Sequence, residues 1–364
     1  MQHINVIGLM SGSSLDGVDL CYAEFYFIDG RWTYNNCITE TIAYSPLWVS
    51  KLQEAGDQSA EEFYKTHVEY GCLLAVFVNE FISANKLIPQ LISSHGHTIF
   101  HQPQFKITCQ IGDGASIYAN TGIPTITDFR SVDMALGGQG APLVPVGERD
   151  LFEDYGMFLN LGGIANISVF DKVQKIMAYD IAPCNMPLNI LCEKYLDRAY
   201  DKDGEISSAG KLHKELFEAL NALNYFKLDP PKSLGREFIV REYLPLIETF
   251  PISIEDKLFT ITEHIIGAIS NAINEHSPGS RKQNILATGG GVYNKFLMKR
   301  LEEKSRIDIS KPASTIIEFK EALIFAYLGV LRITGQVNAL SSVTHASRDS
   351  IGGTLWGNVS ISEN

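Results

Sequence analysis

Three apolar segments of this chain each lead directly into a turn of glycine and other small residues. The turns lie at residues 11–14, 161–165 and 288–292. Glycine has no Cβ atom, so the backbone N–H groups of such turns can approach an anion closely. One turn alone is weak evidence, but three favour a fold built from strands that run into phosphate-binding turns. None matches GxxxxGK[ST] or GxGxxG, which disfavours the P-loop and Rossmann folds.

Hydrophobic periodicity predicts an α/β fold, because period-two and period-3.6 patterns alternate along the chain. A single core rarely exceeds about 250–300 residues, so 364 residues predict two lobes. We place the N-terminal lobe, with the first turn, at residues 1–145. The C-terminal lobe, with the other two turns, is expected at residues 146–364, allowing for a return of the last residues to the first lobe.

Composition narrows the range of partners and compartments. Acidic residues outnumber basic ones 42 to 30, which argues against nucleic acid because phosphate backbones are held by clustered Lys and Arg. The longest apolar run, residues 322–331, is too short for a membrane span of about 20 residues. The start of the chain lacks the pattern of a signal peptide, and the six cysteines show no CxxC spacing. We therefore expect a cytoplasmic protein with free thiols.

Two carboxylates, Asp16 and Asp19, follow the first turn. Bare carboxylates would repel a bound phosphate, and a Mg²⁺ ion held by both of them would remove that conflict. The alternative is structural, with Asp16 as a turn former and Asp19 as a solvent-facing strand residue. The sequence leaves both interpretations open.

Two further acids occupy positions that suit chemistry. Asp180 ends a predicted strand and precedes a helix, where N–H groups favour the charged carboxylate, so it could serve as a general base. Glu321 begins a long apolar helix and lies on its apolar face, where a carboxylate needs a partner. Both acids could equally be ordinary first-turn acids of their helices.

Polar residues also cluster in "SSHGHTIFHQP" and "TDFRSVD". His95 and His97 would share one face of a strand, but no nearby Cys or acid completes a zinc site, so hydrogen bonding in a polar pocket is favoured. Arg130 could bind a ligand carboxylate, or only Asp128 or Asp133.

Taken in order along the chain, these segments resemble the 1,6-anhydro-N-acetylmuramic acid kinases. The resemblance runs from Gly8 to about Leu328 and is carried by "GLMSGSSLDGVD", "SHGHTIFHQP", "QIGDGA", "DFRSVDMALGGQGAPLVP", "NLGGIANIS", "ATGGGVYN" and "EALIFAYLG". It implies the two-lobed actin-like ATPase fold, of the ribonuclease H-like type, with the nucleotide in a cleft between the lobes. It also implies ATP and Mg²⁺ as cofactors and a small anhydrosugar as substrate.

The family's reaction opens the anhydro ring with water and transfers the ATP γ-phosphoryl group to O6, giving N-acetylmuramic acid 6-phosphate for peptidoglycan recycling. By this resemblance Asp180 is the catalytic base, and Asp16 and Asp19 are the metal ligands. Substrate contacts are expected from Arg130, Glu321, His97 and Asn185. Nucleotide contacts are expected from Gly12, Ser13, Ser14, Leu15, Asp16, Gly17, Val18, Asp19, Gly162, Gly163, Gly289, Gly290 and Gly291.

The chain departs from the family pattern after Asp180. The usual Thr/Cys-Gly-Pro-Gly/Ala-Asn, followed by Asp, here reads Ile-Ala-Pro-Cys-Asn at residues 181–185, with Asn189 in place of the later Asp. Ser13 replaces the usual Thr, and Met10 stands where the wider superfamily often has an Asp. The lost glycines bear on the identity of the sugar more than on phosphoryl transfer.

Two alternatives therefore remain beside the main hypothesis. One is a kinase for another anhydrosugar, such as levoglucosan. The other is a non-catalytic sugar- or nucleotide-binding regulator, against which the intact Asp180, Asp16 and Asp19 argue. The sequence leaves the oligomeric state open, a homodimer included, and it assigns no role to the loop at residues 228–238.

Overall fold

The computed structural model describes residues 2–12, 15–172, 176–230, 232–280, 282–305 and 307–359. The chain divides into two compact units. The first comprises Met1–Glu153 and Phe319–Asn364, and the second comprises Asp154–Glu318.

Strands and helices alternate through the described residues. The strands are β1 His3–Ser11, β2 Gly17–Ile28, β3 Arg31–Ala43, β4 Leu91–Gln102, β5 Ile107–Ile111, β6 Thr125–Thr127, β7 Met157–Leu161, β8 Ile164–Phe170, β9 Ile176–Pro183, β10 Ile285–Thr288, β11 Ile309–Ser310 and β12 Thr354–Trp356. The α-helices are α1 Pro46–Glu54, α2 Ala60–Asn85, α3 Gly114–Thr121, α4 Ser131–Ala135, α5 Val144–Leu151, α6 Asn185–Leu196, α7 Glu205–Ala209, α8 Lys214–Ala222, α9 Arg236–Phe238, α10 Leu244–Glu248, α11 Ile254–His276, α12 Lys295–Ser305, α13 Ser314–Ile333 and α14 Ser341–Thr344.

The sheet of the first unit has the order β12-β6-β4-β1-β2-β3, with β5 paired to β4. Strands β1 and β2 form an antiparallel hairpin around the first turn, while β1, β4 and β6 run parallel. Helix α2 begins at a capping box made by Ser59 and Glu62, and its buried stripe packs on this sheet. That stripe includes Tyr70, Leu74 and Phe81, as the helical spacing of the sequence predicts.

Helix α13 packs closely against the same sheet. A Cβ atom on Gly8 of β1 would lie 2.0 Å from the Ala322 carbonyl oxygen, so only glycine fits there. A Cβ on Gly147 of α5 would likewise lie 2.6 Å from Ile324. Pro145, where the sequence suggests a boundary, lies in α5 inside the first unit. Most of α13 belongs to the same unit.

The sheet of the second unit has the order β11-β10-β7-β8-β9. Strands β7, β8 and β9 form an antiparallel meander, while β7, β10 and β11 run parallel. Helix α11 buries Ile261, Ile265 and Ile269 in the core of this unit. Each unit thus combines a mixed sheet with packed helices, which confirms the predicted α/β class.

None of the helices described here combines the length and the apolar character that a membrane crossing requires.

Candidate active site

The first glycine turn connects β1 to β2 in the first unit. Leu15 has a left-handed backbone with φ 60°, and its N–H donates to the Gly12 carbonyl over 3.5 Å. Gly17 begins β2, where a Cβ atom would lie 2.4 Å from the Ile42 carbonyl oxygen. Val18 follows in the strand and is buried. Ser13 and Ser14 lie outside the described residues.

The charges of the two acids that follow this turn both act on Tyr44. Asp16 is exposed, and its carbonyl accepts the Tyr44 N–H over 3.4 Å. Asp19 is half-buried on β2, and its Oδ1 accepts the Thr41 hydroxyl over 2.6 Å. Burial raises the pKa of Tyr44, and the charges of Asp16 and Asp19 raise it further. Both carboxylates therefore influence the ionisation of Tyr44.

A buried hydrogen-bond chain supports the end of β1 beneath the turn. The Ser11 hydroxyl lies 2.8 Å from His97 Nδ1 and 2.6 Å from the Tyr44 hydroxyl, which in turn lies 2.5 Å from the Tyr70 hydroxyl. Burial lowers the pKa of His97 to about 4, so its ring is neutral near pH 7. His97 thus contacts the base of the turn, and its contact with a sugar stays a prediction.

Arg130 lies beyond the end of β6 and binds His95. Its Nη2 lies 2.8 Å from His95 Nε2, and its Nη1 donates to the Gly140 carbonyl over 2.6 Å. His95 Nδ1 lies 2.9 Å from the Gly96 carbonyl, so Nδ1 carries the hydrogen and Nε2 accepts from Arg130. Burial, followed by the Arg130 charge, holds the pKa of His95 well below its usual value. His95 is thus a neutral acceptor rather than a metal ligand.

Neither Asp128 nor Asp133 hydrogen bonds to Arg130. The Asp128 carboxylate accepts from Ser131, while the Asp133 carboxylate accepts the Gly140 N–H and the Thr344 hydroxyl. Burial lowers the pKa of Arg130 to about 10, and the charges of Glu321 and Asp133 oppose that shift. Within the described part of the chain, the guanidinium makes no hydrogen bond to a carboxylate.

Glu321 lies inside α13, which begins at Ser314, and not in the first turn of a helix as the sequence predicts. Its side chain is half-buried. Burial raises the pKa of its carboxyl, and the positive charges of Lys320 and Arg130 lower it. The charges of Arg130 and Glu321 therefore act on each other in the first unit, and a shared substrate site stays a prediction.

The other two glycine turns lie side by side in the second unit. Gly162 and Gly163 connect β7 to β8, and Gly289 follows β10, which runs parallel to β7. Asn185, at the start of α6, binds the second turn: its Nδ2 donates to the Leu161 carbonyl over 2.8 Å, and its N–H donates to the Gly162 carbonyl over 3.1 Å. In this structure Asn185 therefore holds the second turn against the start of α6.

The glycines of these turns serve two different purposes. Gly289 has φ 84°, and a Cβ there would lie 2.5 Å from Asn160 Oδ1. A Cβ on Gly291 would lie 2.8 Å from the Leu161 Cβ. By contrast, a Cβ on Gly290 would meet only Asn185 Nδ2 at 3.9 Å, and one on Gly162 would meet nothing closer than 3.6 Å. Packing requires Gly289 and Gly291, whereas a methyl group on Gly162 would make ordinary van der Waals contacts and one on Gly290 would meet only Asn185 Nδ2.

Asp180 lies within β9, which continues to Pro183, and not at the end of its strand as the sequence predicts. Its pairing with Asn166 of β8 places it close to the second turn. Its Oδ2 accepts the Leu234 N–H over 2.8 Å, and no hydrogen bond within the described residues reaches Oδ1. Burial raises the pKa of the carboxyl, and the Leu234 hydrogen bond partly offsets that shift. The residue therefore presents one fixed and one open oxygen.

The sequence did not reveal the groups that hold Asp180. The Lys232 carbonyl accepts the Asp180 N–H over 3.0 Å, and the Tyr225 hydroxyl donates to the Asp180 carbonyl over 2.5 Å. Leu234 and Lys232 belong to the loop at residues 228–238, which carried no assigned role. No periodic pattern marks these contacts, because the partners are 45 to 54 positions from Asp180.

The unusual residues after Asp180 are directed into the core. Ile181, Ala182 and Cys184 are each at most 3% exposed and belong to the core of the second unit. The Cys184 N–H donates to the Gly163 carbonyl over 2.9 Å, which keeps this segment against the second turn. The side chains that replace the family's glycines thus fill the interior.

Strand ends that carry glycine turns with open space over the backbone, beside a half-buried carboxylate, are typical of α/β enzymes that bind and transfer phosphate. A sequence profile of one such group, the anhydro-N-acetylmuramic acid kinases, matches residues 4–358. The chain belongs to the anhydro-N-acetylmuramic acid kinase family, which confirms the resemblance.

Individual relatives agree with the profile over nearly the full length. An anhydro-N-acetylmuramic acid kinase of Actinobacillus pleuropneumoniae serotype 5b is 35% identical, over 93% of this chain and 95% of the relative. One of Vibrio parahaemolyticus is 32% identical, over 96% and 97%. Among solved structures, the (R)-2-hydroxyglutaryl-CoA dehydratase component A of Acidaminococcus fermentans has a TM-score of 0.47 at 10% identity, covering 91% of this chain and 99% of that one.

Proposed function

We propose that this protein is an ATP-dependent sugar kinase that opens 1,6-anhydro-N-acetylmuramic acid with water and phosphorylates its O6. Family membership supports the activity, since the relatives carry this name over almost their whole length. The observation that carries the chemistry is the Asp180 carboxylate, fixed at Oδ2 and open at Oδ1. The product is N-acetylmuramic acid 6-phosphate, an intermediate of peptidoglycan recycling.

Asp180 acts as the general base in this proposal. Its open Oδ1 takes a proton from a water molecule whose oxygen forms a bond to C1, while the C1–O6 bond breaks. The freed O6 alkoxide then bonds to the γ-phosphorus, and ADP leaves with the electrons of the broken P–O bond. A raised pKa suits this role, because a more basic carboxylate accepts the proton more readily.

The nucleotide is proposed to lie on the glycines of the second and third turns. A Cβ on Gly290 would meet only Asn185 Nδ2 and one on Gly162 would make only ordinary contacts, and Gly163 adjoins Gly162, so a phosphate can approach their backbone. Gly289 and Gly291 shape the third turn. In the first unit, Gly12 and the following residues through Asp19 are proposed to contact phosphate, Ser13 and Ser14 among them.

Asp16 and Asp19 are the residues that would hold Mg²⁺. No group of three or more His, Cys, Asp and Glu suited to a metal occurs among the described residues. A magnesium ion commonly uses one or two carboxylates and completes its shell with phosphate and water, so two acids are enough for this proposal. When bound, the ion would neutralise phosphate charge next to the first turn.

The sugar is proposed to contact Arg130, Glu321, His97 and Asn185. A guanidinium without a carboxylate hydrogen bond in the described structure suits the lactyl carboxylate of a muramic sugar. Levoglucosan has no such carboxylate and would leave the Arg130 charge unmatched. Arg130 therefore favours the muramic substrate over a plain anhydrosugar.

The substrate assignment predicts a clear order of activities. With ATP and Mg²⁺, purified enzyme should consume ATP with 1,6-anhydro-N-acetylmuramic acid, and much more slowly with levoglucosan or N-acetylmuramic acid. Coupled ADP detection measures the three rates, and phosphorus NMR identifies the product. Activity on N-acetylmuramic acid alone would contradict hydrolytic ring opening, and a preference for levoglucosan would contradict the role of Arg130.

The third turn offers a matched pair of variants that separates nucleotide binding from folding. Gly290→Ala should weaken ATP binding by about tenfold, or 1.4 kcal/mol, with unchanged thermal stability, because its methyl group enters open space. Gly291→Ala should instead lower the stability by about 1–3 kcal/mol, because its methyl group overlaps Leu161. Calorimetric titration and thermal unfolding measure both quantities. Unchanged ATP affinity in Gly290→Ala would remove this turn from the nucleotide site.

A further inference from the structure

A segment of the second unit runs along the outer edge of β9 and binds Asp180 at three points. We call residues 225–230 and 232–234 the Asp180 strap. It binds the Asp180 N–H through the Lys232 carbonyl, the Asp180 carbonyl through the Tyr225 hydroxyl, and Oδ2 through the Leu234 N–H. Since β9 is the last strand of its sheet, the strap satisfies backbone groups that the sheet leaves unpaired.

The strap has little regular structure of its own around its contacts with Asp180. Residues 232–235 are neither helix nor strand, and Ser233 and Gly235 are exposed. A segment of this kind keeps one conformation only if specific contacts offset its conformational entropy. The position of the Asp180 carboxylate therefore depends on what holds the strap.

The Lys232 side chain provides that support. Its Nζ donates to the Leu228 carbonyl over 2.9 Å and to the Tyr225 carbonyl over 3.3 Å, and it lies 4.8 Å from the centre of the Tyr225 ring. The Lys232 backbone thus binds Asp180, and the Lys232 side chain binds the Tyr225 and Leu228 carbonyls at the other end of the strap. A cation over an aromatic face adds to these contacts.

The other end of the strap is anchored in the core. Tyr225 is buried, and its ring centre lies 5.6 Å from that of Phe238. Phe238 also contacts Tyr243, whose hydroxyl lies 2.9 Å from His264 Nδ1 on α11. Tyr225 is held in the core, and the Lys232 side chain binds the Tyr225 carbonyl. Together these contacts fix the position of the Leu234 N–H.

We infer that Lys232 is a positioning residue for the reaction: it holds the strap so that Leu234 orients the Asp180 carboxylate toward the attacking water. This inference rests on the proposed role of Asp180 as the base. It gives the loop at residues 228–238 a function, and it places that function in the chemical step rather than in ATP binding.

The test compares Lys232→Met with Lys232→Arg. The methionine keeps the aliphatic stem but loses the charge and the donors, so kcat should fall by about 10- to 100-fold, the cost of a small misplacement of a catalytic group. The KM for ATP should stay within about twofold, because only the chemical step loses an interaction. Lys232→Arg should recover most of kcat, since it restores the donors and the cation.

Lys227→Met is the matched control, because Lys227 is exposed in the same segment. It should behave like wild type. Equal kcat values for Lys227→Met and Lys232→Met would overturn the inference. So would a parallel loss of kcat, ATP affinity and thermal stability in Lys232→Met, because that pattern indicates general damage to the unit.

Amide hydrogen exchange, followed by NMR, tests the strap without any turnover. Lys232→Met should speed the exchange of the Leu234 and Asp180 amides at least about tenfold, while Lys227→Met leaves both unchanged. Unchanged exchange in Lys232→Met would overturn the inference even if kcat fell. If Asp180 were not the base, Asp180→Asn would keep its turnover while the exchange still responded to Lys232→Met, so the two failures are distinguishable.

Discussion

Asp180→Asn is expected to lower kcat by about 10²–10⁴-fold, the range for loss of a general base, while ATP still binds. The asparagine carbonyl oxygen can still accept the Leu234 N–H, so the local structure should persist. What is lost is the open, basic oxygen that takes the proton from water. Initial rates of ADP formation measure the loss, and calorimetric titration measures ATP affinity.

Asp197→Asn is a suitable control for this change of charge. Asp197 is exposed just after α6, where its backbone is left-handed with φ 52°, a conformation that Asn also tolerates. This control should keep the wild-type rate. If Asp180→Asn kept it too, a different group would have to activate the water, and the base assignment would be wrong.

The pH dependence of the wild-type rate follows from the same carboxyl. Burial raises the Asp180 pKa above the usual value of about 3.9, and only the ionised form can accept a proton. The rate should therefore fall as the pH falls through that raised pKa. The residual rate of Asp180→Asn should lack this acidic limb.

Features that depend on residues close together in the sequence could be predicted from the sequence. The α2 stripe follows from helical spacing, and the hairpin of β1 and β2 follows from two apolar segments around a small-residue turn. Asp180 also stands out as an acid in a strand that leads into a helix, although the strand continues past it to Pro183. These signals are local, so one chain without any alignment contains them.

Contacts between distant residues could not be predicted in this way. The sequence suggested Asp128 or Asp133 as partners for Arg130, yet its hydrogen bonds go to His95 and Gly140. Arg130 and His95 are 35 positions apart, and only the parallel arrangement of β4 and β6 brings them together. The Asp180 strap was missed for the same reason.

The largest stability effect is expected at a buried pair of opposite charges. Lys and Glu are almost never fully buried, yet Lys320 and Glu148 are 5% and 2% exposed in the first unit. Lys320 Nζ donates to Glu148 Oε1 over 2.6 Å, although the two residues are 172 positions apart. Glu148 Oε2 is buried without a hydrogen bond among the described residues.

Lys320→Met should lower the free energy of unfolding of the first unit by about 3–5 kcal/mol, because it leaves the buried Glu148 charge without this cation. The double variant Lys320→Met/Glu148→Met should recover most of that loss, since apolar residues of similar volume can replace a buried pair at little cost. Urea unfolding followed by tryptophan fluorescence measures this unit, because Trp32, Trp48 and Trp356 all belong to it.

The exposed pair Glu61–Lys65 of α2 provides the matched control in the same unit. Lys65→Met should cost about 0.5 kcal/mol or less, because water solvates the remaining carboxylate. If Lys320→Met cost no more than this control, the pair would not be buried as the structure places it. If the double variant were as unstable as Lys320→Met alone, lost packing rather than an uncompensated charge would explain the effect.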